Sequence, residues 1–226
     1  MPATTPATLT EQANTAPFDT IYADAEGQLA SVPWQHLDAA GQPCPCAALL
    51  AWLHAEAGTL LRPGVRVAIV GCGLGEDAKA CVERGYDVTA FDICPAAVDW
   101  AAARHPSLSD SLLTADLLDL PPRLRGRFEL VIDNRTMQSI HPDQQATAAA
   151  GCAALTKPHG IVLVIADIAS SDDDTASRQA PPYPRTADEY QSLFASVGML
   201  PTRTPDVFDV PGSLSGRMFR AAFHRP

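Results

Sequence analysis

Val67-Ala68-Ile69-Val70-Gly71-Cys72-Gly73-Leu74-Gly75-Glu76-Asp77 decides the fold. An apolar, β-branched run breaks into three alternating glycines and then into acidic residues that open a helix. The near-continuous apolarity of Val67 to Val70 suits a strand covered on both faces. Lacking a Cβ, glycine takes φ values that other residues resist and lets backbone come close to a ligand. A loop of this kind leaves the carboxyl edge of the first strand, where open α/β sheets bind ligands.

Working outward, strand and helix patterns alternate. Asp87 to Asp92 reads as a second strand, and Pro95 to Arg104 as a helix with proline in its first turn. Short strands follow at Ser111 to Leu113, Phe128 to Asp133 and Gly160 to Ala166. Helices are expected at Glu76 to Arg84, closed by Gly85, and at Asp143 to Leu155. Another is expected from Thr186 to Val197, where Thr186 and Glu189 are spaced as a capping box. Residues 206–224 are expected to supply two more strands. This alternation predicts an α/β fold with a doubly wound, mostly parallel sheet. Upstream, Leu49, Leu53, Ala57 and Leu60 recur at helical spacing and predict a helix over about 45–60. Residues 1–16 are a Thr/Ala/Pro mixture and are expected to be a flexible tail. A polar stretch from Ser170 to Ala180 reads as a solvated loop or, since it leaves a strand's carboxyl end, as a substrate lid.

The glycine spacing argues about the ligand. A dinucleotide fingerprint needs G-x-G-x-x-G, and here the third glycine comes one place early, at Gly75. Glu76 and Asp77 put negative charge where a pyrophosphate would sit, which a sulfonium ligand without phosphate tolerates. No Gly-Lys-Ser/Thr follows, so the loop is not a Walker loop. A tight turn with no ligand is the other reading. Asp92, 17 residues after Gly75, ends the second strand and can accept from both hydroxyls of a ribose. It can also cap the helix before Pro95. Asp116 can accept from an exocyclic amine while Leu117 packs on a base face. Asp133, Asn134 and Arg135 would form the floor near the reacting atom.

The 226 residues are 46% apolar and 19% charged, enough for a packed core. A net charge of −10 opposes binding to polyanions and to anionic membranes, so neither nucleic acid nor membrane is an expected partner. The start, Met1-Pro2-Ala3-Thr4-Thr5-Pro6, shows no secretory pattern, and a cytoplasmic location is expected. The six cysteines lack zinc-ligand spacing, so no metal is expected and thiols are. Cys44 and Cys46 are the candidates for a reactive thiol.

These residues resemble the class I S-adenosylmethionine-dependent methyltransferases. The strand with Gly71-Cys72-Gly73-Leu74-Gly75 looks like their first motif, and Asp92 like their ribose acid. A closer likeness is to the thiopurine S-methyltransferase-like branch. It is carried by Phe18-Asp19-Thr20-Ile21-Tyr22 with Pro33-Trp34, by Glu83-Arg84-Gly85-Tyr86-Asp87-Val88 leading into Asp92, and by Leu118-Asp119-Leu120-Pro121 and Ile140-His141-Pro142. Departures are Asp133-Asn134-Arg135, where relatives often carry Asp-Arg-Gly, and Tyr22 in place of Trp. The resemblance implies a Rossmann-like sheet of seven strands in one domain over 17–226. Within it, 17–62 would form an N-terminal helical cap or lid and 63–226 the core. It implies S-adenosyl-L-methionine as cofactor, contacted by Phe18, Tyr22, Trp34, Gly71, Gly73, Asp92, Ile93, Asp116, Leu117 and Asp133. The three aromatic residues would otherwise be core packing.

The implied activity is methyl transfer to a small molecule, at a thiol or else at nitrogen or oxygen. His36, Asp133, Arg135 and His141 are the candidates for base, orienter or anion clamp on the acceptor side. The chain is expected to act as a monomer or homodimer. Base methylation in nucleic acid is disfavoured, because Asp133-Asn134-Arg135-Thr136 stands where an (Asn/Asp)-Pro-Pro-(Tyr/Phe) motif would be. The competing readings are a non-catalytic module of the same fold and an NAD-dependent oxidoreductase.

Overall fold

The computed structural model describes residues 18–25, 28, 32, 34–62, 64–169, 180–210 and 216–226. The expected tail at 1–16 and most of the expected loop at 170–180 lie outside these. The first helix, α1, covers 18–24. It is followed by α2 (Ala47–Ala55), α3 (Ala57–Leu60), β1 (Arg66–Val70), α4 (Glu76–Val82), β2 (Asp87–Asp92), α5 (Pro95–Arg104) and β3 (Leu112–Thr114). The second half holds β4 (Phe128–Asn134), α6 (Gln145–Leu155), β5 (Thr156–Asp167), α7 (Ala187–Ser196), β6 (Leu200–Pro201), β7 (Asp206–Asp209) and β8 (Arg217–His224).

The sheet runs β3-β2-β1-β4-β5-β8-β6, and β7 also pairs with β8. Strands β1 to β5 are mutually parallel, with Val70 beside Phe91 on one side and beside Asp133 on the other. β8 runs antiparallel to β5, and β6 and β7 lie along its outer edge. The fold is the expected Rossmann-like one. The outermost of the seven strand positions is split in two. Pro201 and Pro205, which lack a backbone N–H, stand in or between the two pieces. Asp206 takes ion pairs from Arg203 and Arg220 at 2.8 and 2.6 Å.

Alternation along the strands divides the core. Ala68, Val70 and Val131 face α6 and α7, joining Leu155, Tyr190 and Phe194. Val67, Ile69, Leu130 and Ile132 face the other way, joining Leu49, Trp52 and Cys81. A third cluster gathers Tyr22, Val32, Leu74 and Cys94 above the carboxyl end of the sheet.

Two expected helices differ in detail. The one expected over 45–60 breaks at Glu56, whose φ is −121°, and whose carboxylate is held by Arg203 at 2.6 Å. The one expected from Asp143 begins as a 3₁₀ turn, Pro142–Gln144, before α6. The capping box on α7 forms as spaced, with Thr186 Oγ1 accepting from Glu189 N at 3.3 Å.

Candidate active site

The loop after β1 holds Gly71, Gly73 and Gly75 at φ of 59°, 51° and 86°. The reasons differ along the loop. A Cβ on Gly71 would lie 2.2 Å from Thr136 Oγ1, whose hydroxyl donates to the Val70 carbonyl at 2.8 Å. Gly71 is therefore demanded by the protein's own packing. Gly73 is different, since a Cβ there would meet only Tyr22 Oη at 3.4 Å and Trp34 Nε1 at 3.8 Å. It faces the space beneath the N-terminal aromatic residues.

That space is a cavity of about 290 Å³ along the carboxyl ends of β1 to β4. Phe18, Tyr22 and Trp34 roof it, with ring centroids 5.8 Å apart for Phe18–Trp34 and 5.7 Å for Tyr22–Trp34. Trp34 Nε1 donates to Tyr22 Oη at 3.2 Å, and Cys94 Sγ donates to Asp19 Oδ1 at 2.9 Å. Burial, then the nearby Asp92, push the Tyr22 hydroxyl far above its ordinary range, so it stays protonated.

Asp92 ends β2 at the cavity wall, 9% exposed. Its Oδ2 accepts from Gly73 N at 2.9 Å and its Oδ1 from Cys94 N at 3.0 Å. Burial raises its pKa, and these two N–H groups oppose the rise. Each oxygen keeps a lone pair for a further donor. Gly71, Gly73, Ile93, Asp116 and Leu117 line the same cavity. Asp116 Oδ1 accepts from Leu118 N at 2.7 Å, which shapes the turn after β3. Glu76 does not leave a bare negative charge on α4, because Arg104 binds it and His105 Nε2 lies 3.3 Å away.

At the other end of the cavity stand His36, Arg135 and His141. Burial, then the neighbouring Arg135, lower the pKa of His36 and favour the neutral imidazole. Arg135 has φ of +65°, and its Nε pairs with Asp167 Oδ2 at 3.2 Å. His141 meets Tyr183 edge-on, with centroids 5.4 Å apart.

Asp133 stands apart from the other expected site residues. It is fully buried and does not line the cavity. Its position on β4 turns it with Val131 toward α6 rather than upward to a ligand. Oδ1 accepts from Thr136 N at 2.9 Å and Met137 N at 3.1 Å, so it shapes the turn after β4. Oδ2 has no hydrogen-bond partner among the described residues. Burial pushes its pKa up to about 7. This correction removes Asp133 from the groups that touch a cofactor or an acceptor.

The structure also gives places to residues outside the expected set of cofactor and acceptor contacts. Asp77 binds Cys46 N and Asn134 Nδ2, both at 2.8 Å, and so ties the start of α2 to the end of β4. Tyr183, between the fifth strand and α7, lines the cavity as well. Only the chain's return over β4 brings it there, with Tyr183 N donating to Gln138 O at 2.5 Å. Cys46, pushed up to about 11 by burial and then by Asp77, is a poor thiolate, and the Cys44 pKa is raised too.

Residues 67–160 match the family model described as Methyltransferase domain. Over this stretch, less than half of its length, the chain is similar to that domain. It has the Rossmann-like fold of solved S-adenosylmethionine-dependent methyltransferases, and S-adenosylmethionine is the cofactor that the domain and these structures imply. Over 106 residues, 45% of this chain, it is 35% identical to the ubiquinone biosynthesis O-methyltransferase of Xanthomonas campestris pv. campestris. It spans 43% of that relative, less than half its length. Among solved structures it is similar to Burkholderia thailandensis 1,6-didemethyltoxoflavin-N1-methyltransferase with bound 1,6-didemethyltoxoflavin and S-adenosylhomocysteine. There the identity is 22%, the TM-score 0.68 and the coverage 100% of this chain and 93% of that one. It is also similar to the [4+2]-cyclase SpnF, at 17% identity, TM-score 0.69 and 97% of each chain. No helix among the described residues is long and apolar enough to cross a membrane.

The cavity fits the implied cofactor. Asp92 keeps acceptor capacity for two ribose hydroxyls, Gly73 leaves its wall open, and Leu117 offers an apolar face beside Asp116.

Proposed function

We propose that the chain is an S-adenosylmethionine-dependent methyltransferase acting on a small molecule. The observation that carries this reading is Asp92, a buried carboxylate with spare lone pairs, set against Gly73 in a cavity roofed by aromatic rings. When bound, the cofactor supplies a methyl group on a positively charged sulfur, ready for in-line transfer to a nucleophile.

The chain's own part is to bind, align and exclude water, and alignment alone can lower a barrier by about 7–11 kcal/mol in good cases. Asp92 would hold the ribose, Asp116 and Leu117 the base. Phe18, Tyr22 and Trp34 would shut out water, residues 17–62 acting as a lid over the 63–226 core. His36, uncharged at neutral pH, is the group suited to take an acceptor proton, and Arg135 the group suited to orient an acceptor oxygen. The narrower reading, a thiol acceptor in the thiopurine S-methyltransferase-like branch, draws on the aromatic roof and competes with an oxygen acceptor, for which Arg135 in the cavity lining is the supporting observation. A non-catalytic or differently catalytic role draws on the likeness to a cyclase of the same fold.

The test is calorimetry with S-adenosylmethionine, S-adenosylhomocysteine and NAD. The first two are expected to bind and NAD is not. Binding of NAD alone would reverse the reading. Binding of the first two without methylation across thiol, hydroxyl and amine acceptors would favour the non-catalytic role.

A further inference from the structure

The ends of the cavity differ in chemistry. In the order β3-β2-β1-β4, Asp116 follows one outer strand of the set and Arg135 follows the other. Three inter-strand steps separate them, about 14 Å at the usual spacing of about 4.8 Å. If Asp116 and Asp92 serve the nucleoside, the Arg135 end lies beyond it and is left for the acceptor.

Arg135 is held there by a built network. Gln138 and Asp167 are both buried, and they bond twice, Gln138 Nε2 to Asp167 Oδ2 at 3.0 Å and Asp167 N to Gln138 Oε1 at 2.7 Å. Asp167 Oδ2 in turn forms an ion pair with Arg135 Nε at 3.2 Å, without hydrogen-bond geometry. The hydrogen bond made by Arg135 Nη2 goes to Met218 Sδ at 3.6 Å, a weak acceptor. Arg135, a residue of the cavity lining, thus has at Nη2 a poor partner where an oxygen would be a good one. His36 and Asn134 line the cavity too, and His36 Nε2, Asn134 Oδ1 and Arg135 Nε are buried with no hydrogen-bond partner among the described residues. Buried polar atoms without partners are costly and uncommon in folded proteins. Ile140, Pro181 and the His141–Tyr183 pair line the same cavity. The lining thus combines charge-assisted donors with flat apolar and aromatic surface.

We propose that the methyl acceptor is a flat, conjugated small molecule with a hydroxyl beside a second oxygen. Arg135, fixed by Asp167 and Gln138, binds that second oxygen, and His36 takes the hydroxyl proton. The proposal rests on the methyltransferase reading above. Charge-assisted donors pair strongly with oxygen and weakly with sulfur, which sets this acceptor apart from a thiol. Binding the neighbouring oxygen, rather than the reacting one, withdraws electron density through the conjugated system and makes the hydroxyl more acidic. The reacting oxygen keeps its lone pair. Gln138 and Asp167 are positioning residues, acting through Arg135.

The experiment is calorimetry on the protein saturated with S-adenosylhomocysteine, titrated with tropolone (a flat hydroxyl conjugated with a carbonyl) or thiophenol. Tropolone is expected to bind at least tenfold more tightly than thiophenol. Arg135→Met and Gln138→Met are expected to erase that preference, Arg135→Lys to keep part of it, and all three to leave S-adenosylhomocysteine affinity within about twofold. Thermal unfolding confirms that each variant is folded, and the wild-type comparison stands without any variant. Equal or tighter binding of thiophenol would overturn the proposal, as would a loss of S-adenosylhomocysteine affinity in Arg135→Met matching the loss for tropolone. Failure of wild type to bind S-adenosylhomocysteine would instead overturn the methyltransferase reading.

Discussion

Two aspartates, each at or next to the carboxyl end of its strand, face different fates. Asp92 ends β2 at the cavity, where Gly73 N and Cys94 N hold its carboxylate. Asp92→Ala is expected to weaken binding of S-adenosylhomocysteine by about 1–3 kcal/mol, the usual cost of losing charge-assisted hydrogen bonds, as read by calorimetry. Unchanged affinity in a folded variant would remove Asp92 from the site. Asp133 precedes the last residue of β4 and turns into the core, where burial lifts its pKa to about 7. A carboxyl raised in the folded state stabilises the fold most fully below its unfolded value. That contribution is lost as pH rises from about 4 through about 7. Asp133→Asn removes this loss. The stability of the variant relative to wild type is therefore expected to rise between pH 4.5 and pH 7.5, by up to about 4 kcal/mol. A difference that stays flat across that range in urea titrations would show that Asp133 is charged at neutral pH.

Among the elements, the loop between β1 and α4 was legible as a glycine loop, but the reason for each glycine was not. Gly71→Ala is expected to destabilise the fold by about 1–3 kcal/mol, since its Cβ would collide with Thr136. Adding Thr136→Ala should recover part of that loss in thermal unfolding, and no recovery would count against the contact. Thr136 lies 65 residues downstream, and no local pattern announces the pairing. The capping box on α7, by contrast, is a matter of spacing three residues apart and forms as spaced. Thr186→Ala should cost about 1 kcal/mol with no change in ligand affinity. The aromatic roof lies between these cases. Phe18, Tyr22 and Trp34 stand out in the sequence, yet their meeting over Gly73 depends on tertiary contacts between segments far apart in the chain. Trp34→Ala should weaken S-adenosylhomocysteine binding at least tenfold while leaving the unfolding temperature of the unliganded protein within a few degrees. Unaltered binding would make the roof plain packing.

For the whole molecule, period and punctuation in the sequence were enough for the architecture. Buried parallel strands must be apolar on both faces, helices must carry a stripe, and right-handed crossovers leave few ways to connect them. The strands from β1 to β5 and the position of the ligand loop follow from those constraints. The splitting of the outer edge into β6 and β7 did not, because Asp206 is held there by Arg220 of β8 as well as by its near neighbour Arg203. The chemistry of the cavity divides along the same line. Asp92, Asp116 and Leu117 sit where a strand ends, and alternation predicts that position. Whether a residue near a strand's end faces ligand or core is decided by one step of register and by what packs behind it. Asp133 therefore fell inward, while Tyr183 came to the cavity, and Asp167 to Arg135, only through contacts between distant segments. Local preference acts over a few residues and so can be read in order, whereas burial and partner choice are set by neighbours that only folding supplies.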